Sequence, residues 1–178
     1  MHGYKTTARL LHWIVALAVI ATIPVGQIMI TEGLARSTQN ALFLFHKNVG
    51  VILLFLIALR LLYRAFNPPP PLPDTVPDWQ KTVSGLTHWG LYGLLILMTL
   101  SGYVRVEAGG FPIEMLDALS IGTPVPRSDA LANTAKAIHF YGRYLMILLI
   151  LMHVGAALLH GIVKRDGVFT RMWPPVQR

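Results

Sequence analysis

The chain has 178 residues, 54% of them hydrophobic and 13% charged, with a formal charge of +7 and a mean hydropathy of +0.55. That apolar content exceeds what a soluble core of this length requires, and the lack of cysteine excludes disulfides, iron–sulfur clusters, c-type haem attachment and thiolate ligands together. The basic residues gather at the ends of apolar stretches rather than along one face, which argues for membrane lipid and against nucleic acid as the partner.

Four stretches, residues 10–30, 41–63, 86–104 and 138–163, supply the roughly 20 apolar residues that one membrane crossing takes. They predict a single all-α transmembrane domain over 1–178, an integral membrane four-helix bundle. Its helices are expected near 7–30, 41–64, 84–104 and 137–163, with an outer loop over 105–136. Thr6 or Thr7 is expected to cap the first helix, and Pro24 with Gly26 to kink it near its outer end. The first stretch is too long for a signal-peptide core and has no clear small-residue cleavage site, so it is expected to stay in the mature protein. A polar turn over 31–40 leads to the second helix. The proline run at 67–73 is a stiff spacer to the third. The longest connection carries a short interfacial helix over 112–119 and a turn-rich segment over 122–126. No internal repeat is apparent.

Nine of the fifteen basic residues (Lys5, Arg9, Arg60, Arg64, Lys81, Lys164, Arg165, Arg171 and Arg178) fall at the termini and the second connection. The other ends mix Arg36, Lys47, Arg105, Arg127, Lys136 and Arg143 with Glu32, Glu107, Glu114, Asp117 and Asp129. Positive charge on the cytoplasmic side therefore predicts a multi-pass protein with both termini cytoplasmic. In a Gram-negative bacterium this would be the inner membrane, with the other face periplasmic.

Ionisable residues within lipid are costly, and this chain places His12, His46, His88, His139 and His153 in its apolar segments. His139 and His153 lie fourteen residues apart on one run, ~21 Å along a helix and about 40° short of four turns, so they share a face. His46 and His139 each begin a helix from the outer side and form an outer pair. His12 lies near the inner end of the first helix and pairs best with His153 by spacing. His160, closer to the inner boundary and on the same face, remains the rival; it would set the two levels ~31 Å apart.

One histidine from each of two facing helices, at two levels, suits haem iron better than zinc, which favours closely spaced ligands. The bundle core is therefore expected to hold two haems. Gly50, Gly142 and Gly155 with Ala156 stand near the ligands, where a flat macrocycle needs room.

At these residues the chain resembles the bacterial cytochrome b561 family. The carrying segments are Arg9-Leu10-Leu11-His12-Trp13, His46-Lys47-Asn48-Val49-Gly50 with Arg60-Leu61-Leu62-Tyr63-Arg64, Gly85-Leu86-Thr87-His88-Trp89, and His139-Phe140-Tyr141-Gly142 through His153-Val154-Gly155 to Leu159-His160 and the tail at 166–174. The resemblance runs in order over nearly the whole chain. It implies a four-helix inner-membrane protein with two b-type haems that exchanges electrons with ubiquinone, some relatives being similar to superoxide:quinone oxidoreductases. It places the haem ligands on His12, His46, His139 and His153 and so supports His153 over His160. Family members often carry paired histidines where this chain has His160-Gly161.

The expected function is an oxidoreductase that takes electrons from a periplasmic donor, superoxide being the best motivated, and passes them through two haem b groups to ubiquinone. The alternative is an electron-carrier subunit of a dehydrogenase or hydrogenase complex. A haem-free structural or metal-binding bundle is a third reading.

His160 and His88, near the inner end, are candidates to contact the quinone and deliver a proton. Arg9 and Lys5 are candidates for quinone or propionates, Lys5 reading better as a membrane anchor. Lys47 and Arg143 stand beside the outer ligands, where cations neutralise propionates and draw in a small anion. Trp13, Trp89, Trp173 and Tyr63 read as interfacial anchors, and Met98, Met146 and Met152 as filler rather than ligands.

Overall fold

Four long helices carry the chain back and forth in the computed structural model, which describes residues 3–176. They are α1 (Thr6–Ile28), α2 (Arg36–Phe66), α3 (Asp78–Ala108) and α5 (Asp129–Leu158), with the short α4 (Glu114–Ala118) between the last two. A widened π turn, Leu159–Lys164, extends α5, and a 3-10 turn, Phe169–Arg171, follows it. There is no strand among the described residues.

All four long helices are long and apolar enough to cross a membrane, α5 together with its π extension. Their outward faces carry Leu17, Phe55, Leu151 and Val163, each 62–71% exposed. Such a surface suits hydrocarbon, not water. The inward faces supply Val15, Val19, Leu53, Ile57 and Tyr92, which form the central core.

Several helix ends differ from those expected. α2 and α5 begin at Arg36 and Asp129, and α3 spans Asp78–Ala108, so the outer connection shrinks to 109–128. The sequence reading stopped where hydrophobicity stopped. Polar flanks remain helical because helical hydrogen bonds persist in water once a helix is nucleated; at α5 the Ser128 hydroxyl caps the start by accepting from the Leu131 N–H at 3.3 Å. At α1 the cap position is Lys5, not a threonine, and its side chain makes no capping bond. Pro24 lies inside α1, which continues to Ile28.

The two ends of the bundle are closed differently. At the end expected from the sequence to face outward, the segment of α4 buries Ile113 and Leu116 against Val51. Lys47 Nζ donates to Glu114 Oε1 at 2.7 Å and to the Pro112 carbonyl at 2.6 Å, and Asn48 Oδ1 accepts from the Met115 N–H at 2.8 Å. Burial pushes the Glu114 carboxyl up, but its bonds from Lys47, its own N–H and Asn48 outweigh this and hold it below its ordinary value.

At the other end, expected from the sequence to face inward, the tail through Val176 straps back over α1. Arg9, only 2% exposed, donates to the carbonyls of Tyr4 and Pro174, each at 2.9 Å. Trp13 Nε1 donates to the Met172 carbonyl at 3.0 Å, and the Arg171 guanidinium bonds the Pro70 carbonyl. Arg178, counted above with the basic tail, lies outside the described residues.

Candidate functional site

The outer level is built on helix backbone. His46 projects from α2 and donates from Nδ1 to the Thr22 carbonyl of α1 at 3.1 Å. His139 projects from α5 and donates from Nδ1 to the Met98 carbonyl of α3 at 2.9 Å, with the Ser101 hydroxyl oxygen 3.2 Å away. A carbonyl can only accept, so both rings carry their proton on Nδ1 and leave the Nε2 lone pair free to ligate. The two ring centroids are 6.2 Å apart and their planes stand at 83°.

Each ring lies against a glycine of the accepting helix. A Cβ on Gly26 would stand 2.7 Å from His46 Cε1, and one on Gly102 would stand 3.1 Å from His139 Cε1. These two glycines admit the imidazoles. Of the three singled out from sequence, a Cβ on Gly142 would stand 2.8 Å from Met98 Sδ, whereas one on Gly50 or Gly155 would meet no protein atom within 4 Å.

The pair opens into a cavity of about 1120 Å³ whose lining includes Gly50, Arg105, Lys136 and Arg143. Lys47 also reaches this lining, but its charge is met by Glu114. Arg143 Nη1 donates to Gln27 Oε1 at 2.9 Å and its guanidinium stacks 4.2 Å from the Phe140 ring centre, while its Nε is buried without a hydrogen-bond partner. Among the described residues no carboxylate pairs with Arg105 or Arg143. The cavity therefore offers two imidazole nitrogens and unpaired positive charge, a donor set suited to a metal macrocycle bearing carboxylates.

The inner level is built on side chains. His12 of α1 and His153 of α5 have ring centroids 6.1 Å apart with planes at 72°. His88 of α3 stands 5.2 Å from His153, closer than two imidazoles on opposite sides of one metal. Arg60 of α2 donates to His12 Nδ1 at 2.9 Å and stacks 5.1 Å from the Tyr92 ring centre; Arg64 stacks 5.5 Å from Trp89. Among the described residues neither arginine pairs with a carboxylate. Ligation through His12 Nε2 needs the ring proton on Nδ1, so it requires Arg60 to give up this contact. Arg60 was read from sequence as a topology marker and as part of a family-like segment, and nothing there signals its contact with a residue forty-eight positions earlier.

The remaining candidates divide. The imidazole of His160 sits in the π turn with Nδ1 2.5 Å from Asp166 Oδ2, and Asp166 Oδ1 accepts from the Val168 N–H at 3.2 Å. His88 has the Ser84 hydroxyl 3.4 Å from Nδ1. Arg9 has its donors on the carbonyls of Tyr4 and of Pro174 in the strap, and Lys5 Nζ bonds Asn67 at 2.7 Å. Trp13 packs on Trp173 at 5.4 Å, so it joins the strap, while Trp89 is exposed at the bundle edge. Met146 is buried in the core and Met152 faces outward.

The sequence profile of prokaryotic cytochrome b561 matches residues 3–175. The chain belongs to this family. Relatives at similar distance cover nearly all of it. Cytochrome b561 homolog 2 of Escherichia coli (strain K12) is 29% identical over 170 residues, 95% of this chain and 90% of the relative. A Yersinia pestis protein named probable superoxide oxidase CybB is 30% identical over 171 residues, 92% of each chain. Cytochrome b561 homolog 1 of Escherichia coli (strain K12) is 26% identical over 174 residues, 98% of each. Membership and the four apolar helices make this cytochrome b561 a multi-pass inner-membrane protein of the transmembrane electron-carrier type.

Proposed function

We propose that the chain binds two haem b groups, one between His46 and His139 and one between His12 and His153, and carries electrons from superoxide on the outer side to ubiquinone on the inner side. One observation carries the reading. Two imidazoles ligating one iron at about 2 Å each have ring centres ~6 Å apart, and the two pairs lie at 6.2 and 6.1 Å.

When bound, the haems supply one-electron chemistry whose potentials respond to ligation, burial and nearby charge. Thr22 and Met98 orient the outer ligands through their carbonyls, which take the ring N–H that faces away from the metal in a metal-bound histidine. Arg143 and Arg105 give the outer cavity the positive field that draws in a small anion. Arg60 and Arg64 are placed to meet carboxylates at the inner level. Two superoxide ions release two electrons and two dioxygen molecules; ubiquinone takes those electrons with two protons from the inner side. His160, with its Nδ1–H held by Asp166, presents the Nε2 lone pair, which takes up a proton from the inner side and hands it to a quinone oxygen, and His88 is its alternate. The excess of Lys and Arg near the inner end supports cytoplasmic termini.

Haem quantitation on purified protein tests the frame: two per chain are expected, falling to one in His139→Ala and to one in His153→Ala. Stopped-flow addition of superoxide tests the donor, with consumption expected only when ubiquinone is present. Two haems with no such turnover would assign the chain to a carrier subunit of a larger complex.

A further inference from the structure

The helices α1 and α3 carry one signature at one spacing. Leu10, His12 and Trp13 in α1 match Leu86, His88 and Trp89 in α3, and fourteen residues after each histidine stands a glycine, Gly26 or Gly102. The helices α2 and α5 match in the same way. His46 and His139 are each followed fourteen residues later by an inner-level side chain, Arg60 or His153.

The contacts repeat with the spacing. His46 donates to the carbonyl of Thr22 and lies on Gly26; His139 donates to the carbonyl of Met98 and lies on Gly102. Thr22 and Met98 each stand ten residues past the matching histidine and four before the matching glycine. Leu53 and Met146, each seven residues beyond the outer imidazole, are equally buried at 4% exposed. At the inner level Arg60 touches His12, and its counterpart His153 touches His88. This overturns the expectation that no repeat is present. The repeat lives in spacing and contacts, because apolar residues facing lipid or packing in it are interchangeable and their identities drift.

We infer that the chain is two copies of one helix hairpin, α1–α2 and α3–α5, related by a pseudo-twofold axis along the bundle, and that Arg60 selects which pair of the inner level holds iron. Parallel repeats about an axis along the membrane normal are an established way to build such bundles. The outer pair joins equivalent positions across the axis. The inner level, by contrast, has four positions and two pairs that the repeat relates. His12 with His153 lies between α1 and α5, which scarcely approach each other; His88 with position 60 lies between α2 and α3, which pack side by side, so that a haem on the second pair has to part those two helices. Arginine cannot ligate iron, so its presence at position 60 leaves one pair competent. This rests on the reading that His12 and His153 hold the inner haem.

The test exchanges the two side chains and counts haem per chain, with the low-spin signal in electron paramagnetic resonance as a second readout. His153→Arg alone is expected to fall from two haems to one. Adding Arg60→His to it is expected to restore two, through His88, and a further His88→Ala to return the count to one. If His153→Arg keeps two haems, the ligand assignment fails and not the repeat. If His153→Arg drops to one and the exchange stays at one, the equivalence of the two pairs is overturned. The outer haem, retained in each variant, reports an assembled bundle. Should the exchange carry less than one haem, His12→Ala with Arg60→His gives the same decision, two haems supporting the inference and one sinking it.

Discussion

At the outer level two imidazoles are fixed by main-chain carbonyls and by glycines that let them approach; at the inner level the rings meet arginines and a third imidazole, all on movable side chains. The outer site is set by how the helices pack, so it changes only when the backbone geometry is disturbed. The inner site is set by which side chains are present. Substituting small residues should therefore harm the first, and exchanging polar residues should retune the second.

The sharpest break between the levels is expected from Gly26→Val, where the new Cβ stands 2.7 Å from His46 Cε1 and displaces a ring anchored to Thr22. Haem content should fall from two to one with the inner spectrum retained. Gly102→Ala meets His139 at 3.1 Å and is expected to be milder, shifting the outer spectrum with loss of about 1–3 kcal/mol of stability from overpacking. Equal effects at both levels would mean that the glycines serve general packing.

Next in size, Arg143→Gln removes an outer cation that has no carboxylate partner among the described residues. Superoxide consumption at low salt should drop about tenfold, and its dependence on ionic strength should flatten. Lys47→Met should change that rate less, because Glu114 already meets the Lys47 charge.

Glu114→Gln loosens α4 from α2, and since the pair is partly exposed the loss should be about 1 kcal/mol or less in chemical unfolding.

The smallest effect lies in the inner strap and is read as a pH dependence. Burial raises the Asp166 carboxyl, but the bond to His160, the Val168 N–H and the nearby Lys164 outweigh it and depress the group overall. A depressed carboxylate contributes stability that is present above its unfolded value and is lost as pH falls through its folded one. Asp166→Asn should accordingly be less stable than the parent at neutral pH, with the gap closing below about pH 4 in thermal melts.

Much of this arrangement is legible in the sequence. Spacing set His46 opposite His139 and favoured His12 with His153 while leaving His160 as a rival, because a regular helix converts residue number into depth and face. Helix ends were less legible, since hydropathy marks where lipid ends and not where hydrogen bonding does. Gly26 and Gly102 were hidden for another reason: glycine is common in membrane helices, and only the ring lying on each one sets it apart. The contacts of Arg60 with His12 and of Arg9 with Pro174 join residues far apart along the chain. Among many basic residues at helix ends, neither pairing leaves a local signal.

Each pair of rings takes one member from the first hairpin and one from the second, so under the proposed ligation the pigment fastens the two halves of the protein. A chain severed within the proline run at 67–73, where neither half loses a membrane-crossing rod, should yield two fragments that stay together while coloured and separate once bleached. Assembly in the cell would then wait on the last rod to emerge, because α5 brings a partner for both storeys.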